Sequence, residues 1–137
     1  IISYIKSICP VIEIVDARYG KGWDIKALET ISDNGVHCCL IKGNELTDWQ
    51  SYDRLDSEMK LYVEGDFICG GKGRNVLGDP LRSVAWLANS LLKRDQHIKA
   101  GEIITTGNTC DKPIFSEKNK TILAYFNGLG EVVIKLV

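Results

Sequence analysis

Pro10-Val-Ile-Glu-Ile-Val-Asp-Ala-Arg18 sets a carboxylate inside a short, β-branched run. Val11 to Val15 has the length and composition of a strand, and Glu13 interrupts its apolar character. An ionised carboxylate flanked by Val11, Ile12, Ile14 and Val15 is costly to bury unless a cation or hydrogen bonds meet it. A divalent metal would serve. Asp16 and Arg18 fall on one side of the strand by alternation and are placed to pair, either beneath a site or as a structural ion pair. Lys26, Thr30 and Ile31-Ser-Asp-Asn34 follow, so polar groups recur close behind the strand.

Working outward, apolar residues at 1, 2, 5 and 8 predict the last turns of a helix stopped by Pro10. Trp23, Ala27, Leu28 and Ile31 recur at helical intervals and predict a helix over 23–32 ending at Ser-Asp-Asn. Gly35 to Ile41 reads as an apolar strand, and Asn44 to Ser57 as loop with one turn of helix or a short strand. Met59–Val63 and Asp66–Gly70 straddle Glu64-Gly65 and predict a hairpin. The glycines at 70, 71 and 73 lack the placement of a dinucleotide fingerprint and read as a tight strand-to-helix connection. Asp79 followed by Pro80 is a helix start, because the Asp oxygen can accept an orphan amide and proline is preset for the first helical position. Leu81, Val84, Ala85, Ala88, Leu91 and Leu92 then share one face, predicting one long helix near 80–94. Strands are expected at 103–106, 121–126 and 131–137, the last two joined by Asn127-Gly-Leu-Gly130. The result is an α+β, mainly β, single domain over 1–137.

The 137 residues carry 17 basic and 18 acidic side chains with no basic run, so nucleic acid and anionic membrane are excluded as partners and a small molecule is expected. No apolar run approaches a membrane span. Five cysteines, at 9, 38, 39, 69 and 110, form no Cys-x-x-Cys pair and have two histidines for company. They read as reduced thiols of a cytoplasmic protein, with Cys38 and Cys39 on opposite faces of a strand. His37 and His97 stand too far from any Ser or Cys motif to form a nucleophilic triad.

Five blocks in order carry a further reading: Pro10 to Asn34, Gly73-Arg-Asn-Val-Leu-Gly-Asp-Pro-Leu81, Val84-Ala-Trp-Leu-Ala-Asn89, Lys99-Ala-Gly-Glu-Ile-Ile-Thr-Thr-Gly107 and Phe126-Asn-Gly-Leu-Gly130. Together they resemble the fumarylacetoacetate hydrolase superfamily, and within it the 2-keto-4-pentenoate hydratase and 4-oxalocrotonate decarboxylase group. The resemblance implies a rolled, mostly antiparallel sheet of the C-terminal domain type with the active site at its centre. It implies that Glu13 is a carboxylate ligand of Mg²⁺ or Mn²⁺. Lys26 and Asp33 become catalytic residues, and Asn34, Thr106, Gly107 and Asn108 hold the substrate, a 2-keto or 2-hydroxydienoic acid. The reaction it implies is a lyase step through a metal-stabilised enolate, as hydration or, in close relatives, decarboxylation or carbon–carbon cleavage in acylpyruvates. A homo-oligomer is expected.

Three departures stand out. Glu29 occupies a place where the group usually has Asp, Gly35-Val36-His37 replaces small residues, and Asn108 stands where Ser is frequent. The only methionine is Met59, and a bulky Ile1 is a poor residue to be left behind by initiator removal. Enzymes of the group carry another half of comparable length, with a Glu-x-Glu pair that completes the metal ligands. The expectation is therefore a chain lacking an N-terminal portion, with weak or absent metal binding and no independent activity, serving alone as a structural or oligomerising domain.

Overall fold

The computed structural model describes residues 1–19, 24–110, 114 and 116–137. Among the described residues six strands and two α-helices run in the order β1 (Val11–Val15), α1 (Ala27–Ser32), β2 (His37–Lys42), β3 (Glu58–Val63), β4 (Asp66–Lys72), α2 (Pro80–Leu92), β5 (Thr121–Phe126) and β6 (Gly130–Lys135). Every pairing is antiparallel. The sheet expected from the sequence is present as two: a ribbon of β1 and β2, and a four-stranded sheet in the order β4-β3-β5-β6.

Alternation builds the four-stranded sheet. Ile122 and Ala124 are buried on one face of β5, and Ala124 sits opposite Val132 of β6, which is also buried. Leu61 of β3 lies across from Ala124, and Met59 across from Phe126. The Glu64-Gly65 turn that joins β3 to β4 has both residues at positive φ, as a two-residue hairpin of this hand requires. Facing this sheet, Leu81, Val84 and Ala88 of α2 line a cleft of about 1710 Å³ with Met59, Leu61, Ile122 and Ala124. The helix begins where expected: the Asp79 carboxylate accepts the Leu81 amide at 2.9 Å, with Pro80 behind it. Arg54 grips the same carboxylate with two hydrogen bonds, of 3.0 and 2.6 Å.

The ribbon meets the larger sheet at Gly43. A Cβ there would stand 2.8 Å from Pro10 and 2.9 Å from the Glu131 carbonyl oxygen, so only glycine lets the end of β2 pass this close.

Several expectations change. The N-terminal stretch forms only a 3₁₀ turn over Ile2–Tyr4, because Ile8 enters an antiparallel bridge with Leu46 and is extended. The helix over 23–32 is present as Ala27–Ser32, and Trp23 lies outside the described residues. Its Leu28 and Ile31 are 81% and 73% exposed, so that spacing marks an uncovered face and not a core face. Residues 103–106 form no strand, and the Thr106 carbonyl accepts from the Ser83 hydroxyl instead of joining a ladder. The five cysteines are not all free: Cys69 of β4 is bonded to Cys110, 41 residues later, with Cα atoms 6.2 Å apart. Gly71 makes room for this, as a Cβ there would overlap the Thr109 carbonyl oxygen. Among the described residues no helix is long and apolar enough to cross a membrane.

Candidate functional site

Glu13 sits mid-strand in β1, opposite Leu40 of β2. One residue further on, Ile14 faces Cys39, but Val15 faces His37, so Cys38 is an extra residue and the ladder bulges there. The bulge brings His37 onto the face of Glu13, and the Glu13 Oε1 to His37 Nδ1 distance is 2.8 Å. A carboxylate in its ionised form only accepts, so a hydrogen bond here requires the tautomer with the proton on Nδ1. Both side chains are more than a third exposed. The cost of placing a carboxylate among Val11, Ile12, Ile14 and Val15 is thus met by water and a histidine, with no burial required.

Behind this pair lies a second one. Asp33, only 4% exposed, closes α1 and accepts the Arg18 backbone amide at 2.9 Å and Arg18 Nη1 at 2.6 Å. Nη1 also donates to the Asp33 carbonyl, and Nη2 donates to the His37 carbonyl at 2.8 Å. The hydrogen bonds from Arg18 hold the Asp33 carboxyl below the usual carboxylate range against the opposing effect of burial, and Asp33 raises the guanidinium in return. This corrects the expected Asp16–Arg18 pair. Strand alternation ends at Val15, so Arg18 is free to turn toward the end of α1.

From Asp33 to His37 the chain makes a left-handed turn, with φ of 53°, 68° and 57° at Asn34, Gly35 and Val36. A buried, β-branched Val36 at positive φ is strained and persists because its neighbours hold it. The Val36 carbonyl accepts the Asp16 amide and its own amide donates to Asp33, each at 2.9 Å.

Thr106, Gly107 and Asn108 line the same cleft as Glu13. Ser83 of α2 donates to the Thr106 carbonyl at 2.7 Å, Asn75 to the Thr109 carbonyl at 3.1 Å, and the Cys110 amide to the Asn108 side chain at 3.1 Å. With the Cys69–Cys110 bond, these fix the segment without a strand. Lys26 stands elsewhere, at the start of α1, where its amide donates to Glu29 at 2.8 Å. Lys26, Asp33 and Asn34 do not belong to the cleft's described lining. Sequence reasoning missed His37 and Arg18's true partner, because a one-residue bulge and a contact 15 residues away leave no local pattern.

A hard divalent cation takes six or more oxygen ligands. Among the described residues no three His, Cys, Asp or Glu side chains group to hold one. Glu13 and its histidine do not make a metal site alone.

No protein-family model matches the chain. It is 32% identical over 122 residues to the 2-keto-4-pentenoate hydratase of Paraburkholderia phymatum, covering 88% of this chain and 45% of that protein. It is 30% identical over 138 residues to a 4-oxalocrotonate decarboxylase of Pseudomonas putida, covering 100% and 51% respectively. It superposes with a TM-score of 0.91, at 29% identity, on the 4-oxalocrotonate decarboxylase from Pseudomonas putida G7 complexed with magnesium and adipate, over 99% of this chain and 51% of that one. The chain spans about half the length of the relatives it matches.

Proposed function

We propose that this chain, a member of the 2-keto-4-pentenoate hydratase and 4-oxalocrotonate decarboxylase group, supplies part of an active site acting on a 2-keto or 2-hydroxydienoic acid. The observation that carries the reading is the joint match in sequence and fold, at 29% identity and a TM-score of 0.91 over 99% of the chain, to a protein of that activity. Hydration and decarboxylation of such acids both put negative charge on the substrate's 2-oxygen, so both need donors fixed before the reaction starts.

Thr106, Gly107 and Asn108 are assigned to the substrate carboxylate, with a hydroxyl and backbone amides on a segment pinned at several points. Glu13, which lines the same cleft, is assigned as one oxygen ligand of Mg²⁺ or Mn²⁺. The other ligands are not among the described residues, so the chain by itself binds such ions weakly and does not turn over substrate. Asp33 acts through Arg18, not by touching substrate. Lys26 and Asn34, outside the cleft's described lining, are assigned no contact with the substrate.

The uncovered apolar side chains Leu28, Ile31 and Trp86, 81%, 73% and 69% exposed, support a homo-oligomer. Light scattering on the purified chain tests that part, and a strict monomer at high micromolar concentration would remove it. The test of function follows the ultraviolet absorbance of 2-hydroxypenta-2,4-dienoate and of 4-oxalocrotonate with Mg²⁺ in the protein that carries this chain together with the remaining ligands. At least one acid is consumed, and Glu13→Gln abolishes the activity. Turnover that survives Glu13→Gln, or the absence of turnover with both acids, would overturn the reading.

A further inference from the structure

The fold commits several unusual features to placing His37. The β-bulge at Cys38 is the first. In a regular ladder Cys38 would face Val15, and the His37 side chain would fall on the opposite side of the ribbon from Glu13. The second is the strained left-handed turn at Asn34–Val36, which delivers the chain into β2 one residue before His37. The third is Arg18, whose Nη2 holds the His37 carbonyl at 2.8 Å while its Nη1 is locked by the buried Asp33 at 2.6 Å. A continuous path runs from Asp33 through Arg18 and the His37 backbone to the imidazole, and from Nδ1 to Glu13 Oε1 at 2.8 Å.

We propose that His37 is the positioning residue of the Glu13 carboxylate. It engages Oε1, leaves Oε2 as the oxygen offered to the cleft, and ties that orientation to the Arg18–Asp33 pair. Glu13 lines the cleft and His37 does not, so the histidine meets whatever the cleft holds only through the carboxylate. This rests on the function proposed above in one respect, that Glu13 is the working carboxylate of the cleft.

A surface ion pair with both partners more than a third exposed contributes little to stability, so a purely structural pair would leave neither stability nor chemistry much changed when broken. A positioning residue separates the two. His37→Val removes the donor and keeps a good strand former. His37→Asn restores an N–H donor close to the place of Nδ1. In the complete protein with 2-hydroxypenta-2,4-dienoate, His37→Val is expected to lower kcat/KM about tenfold or more, the range seen when groups that orient a ligating residue are lost. His37→Asn recovers most of that loss. Equal values for the two variants, or no loss in either, would overturn the proposal.

The second arm needs no activity. The chain has two histidines, so ¹⁵N spectra of the imidazoles assign His37 by its disappearance in His37→Asn. The expected signature is a ring protonated at Nδ1 whose shift moves in Glu13→Gln. A ring protonated at Nε2 alone, with no response to Glu13→Gln, would overturn the proposal. If neither acid is consumed by the unaltered protein, the function reading fails on its own, and the tautomer and its dependence on Glu13 still decide whether His37 holds the carboxylate.

Discussion

The four-stranded sheet and the two-stranded ribbon are built from the same antiparallel pairing, yet they are held together by different physics. In the sheet, Met59, Ile122, Ala124 and Val132 are between 2% and 8% exposed. In the ribbon no residue of β1 or β2 is buried to that degree. Its geometry comes instead from a bulge, a strained turn and the Asp33–Arg18–His37–Glu13 sequence of polar contacts. Apolar burial sets the frame, and the polar contacts aim the side chains that line the cleft. A site of this kind can lose its aim without the frame coming apart.

The largest expected effect belongs to the frame. The Cys69–Cys110 bond closes a loop of sequence separation 41, for which the chain-entropy model gives about 4 kcal/mol of stabilisation. Urea denaturation with and without reductant should show that loss, matched by Cys69→Ser. Coincident midpoints would mean the bond does not form in solution.

Next comes a direct contrast between the regions. Ile122→Ala removes a buried side chain and should cost about 3 kcal/mol. Ile14→Ala, in the half-buried ribbon, should cost less than half of that. Equal losses would break the contrast, since they would place the ribbon in the same cooperative core.

At the edge of the frame, Asp79→Ala removes the helix cap of α2 and should cost about 1 kcal/mol from the cap. Loss of the two bonds to Arg54 adds to it. Asp79→Asn should recover the cap share alone.

What could be read from the sequence follows the same division. Val11–Val15 is a strand with the expected bounds, the hairpin turns at Glu64-Gly65, and α2 starts at Asp79-Pro80. Each is encoded by neighbours in the chain: β-branched runs, a turn pair, a cap followed by proline. The features that went unread are made by residues far apart. Nothing local links Cys69 to Cys110, or Arg54 to Asp79, or Arg18 to Asp33. The helical spacing of Leu28 and Ile31 was legible, but what covers that face is not a property of the spacing. Glu13 was singled out by its chemistry alone, and its partner His37 was not, because a bulge inverts the face that simple alternation assigns. Residues 103–106 look like a strand by composition, and the anchor of Thr106 to Ser83, like those of Thr109 to Asn75 and Cys110 to Cys69 just beyond, is invisible there.

The smallest effect tests the ribbon by itself. Arg18 holds the Asp33 carboxyl below its unfolded value, so the ionised pair adds stability that is fully present above the unfolded carboxylate range and disappears as pH falls through the lowered folded value. Asp79 is lowered in the same direction by Arg54, so global acid unfolding reports both pairs and cannot separate them. A local measurement can. Asp33 holds Arg18, and Arg18 holds the start of β2, so protonating Asp33 should release the amides around Val36 and His37 to hydrogen exchange while those of β3 and β5 stay protected. Asp33→Asn should expose the same ribbon amides at neutral pH and flatten their acid dependence. If ribbon and sheet amides instead open together as pH falls, in the unaltered chain and in Asp33→Asn alike, the two regions unfold as one unit and the polar contacts do not govern the ribbon separately.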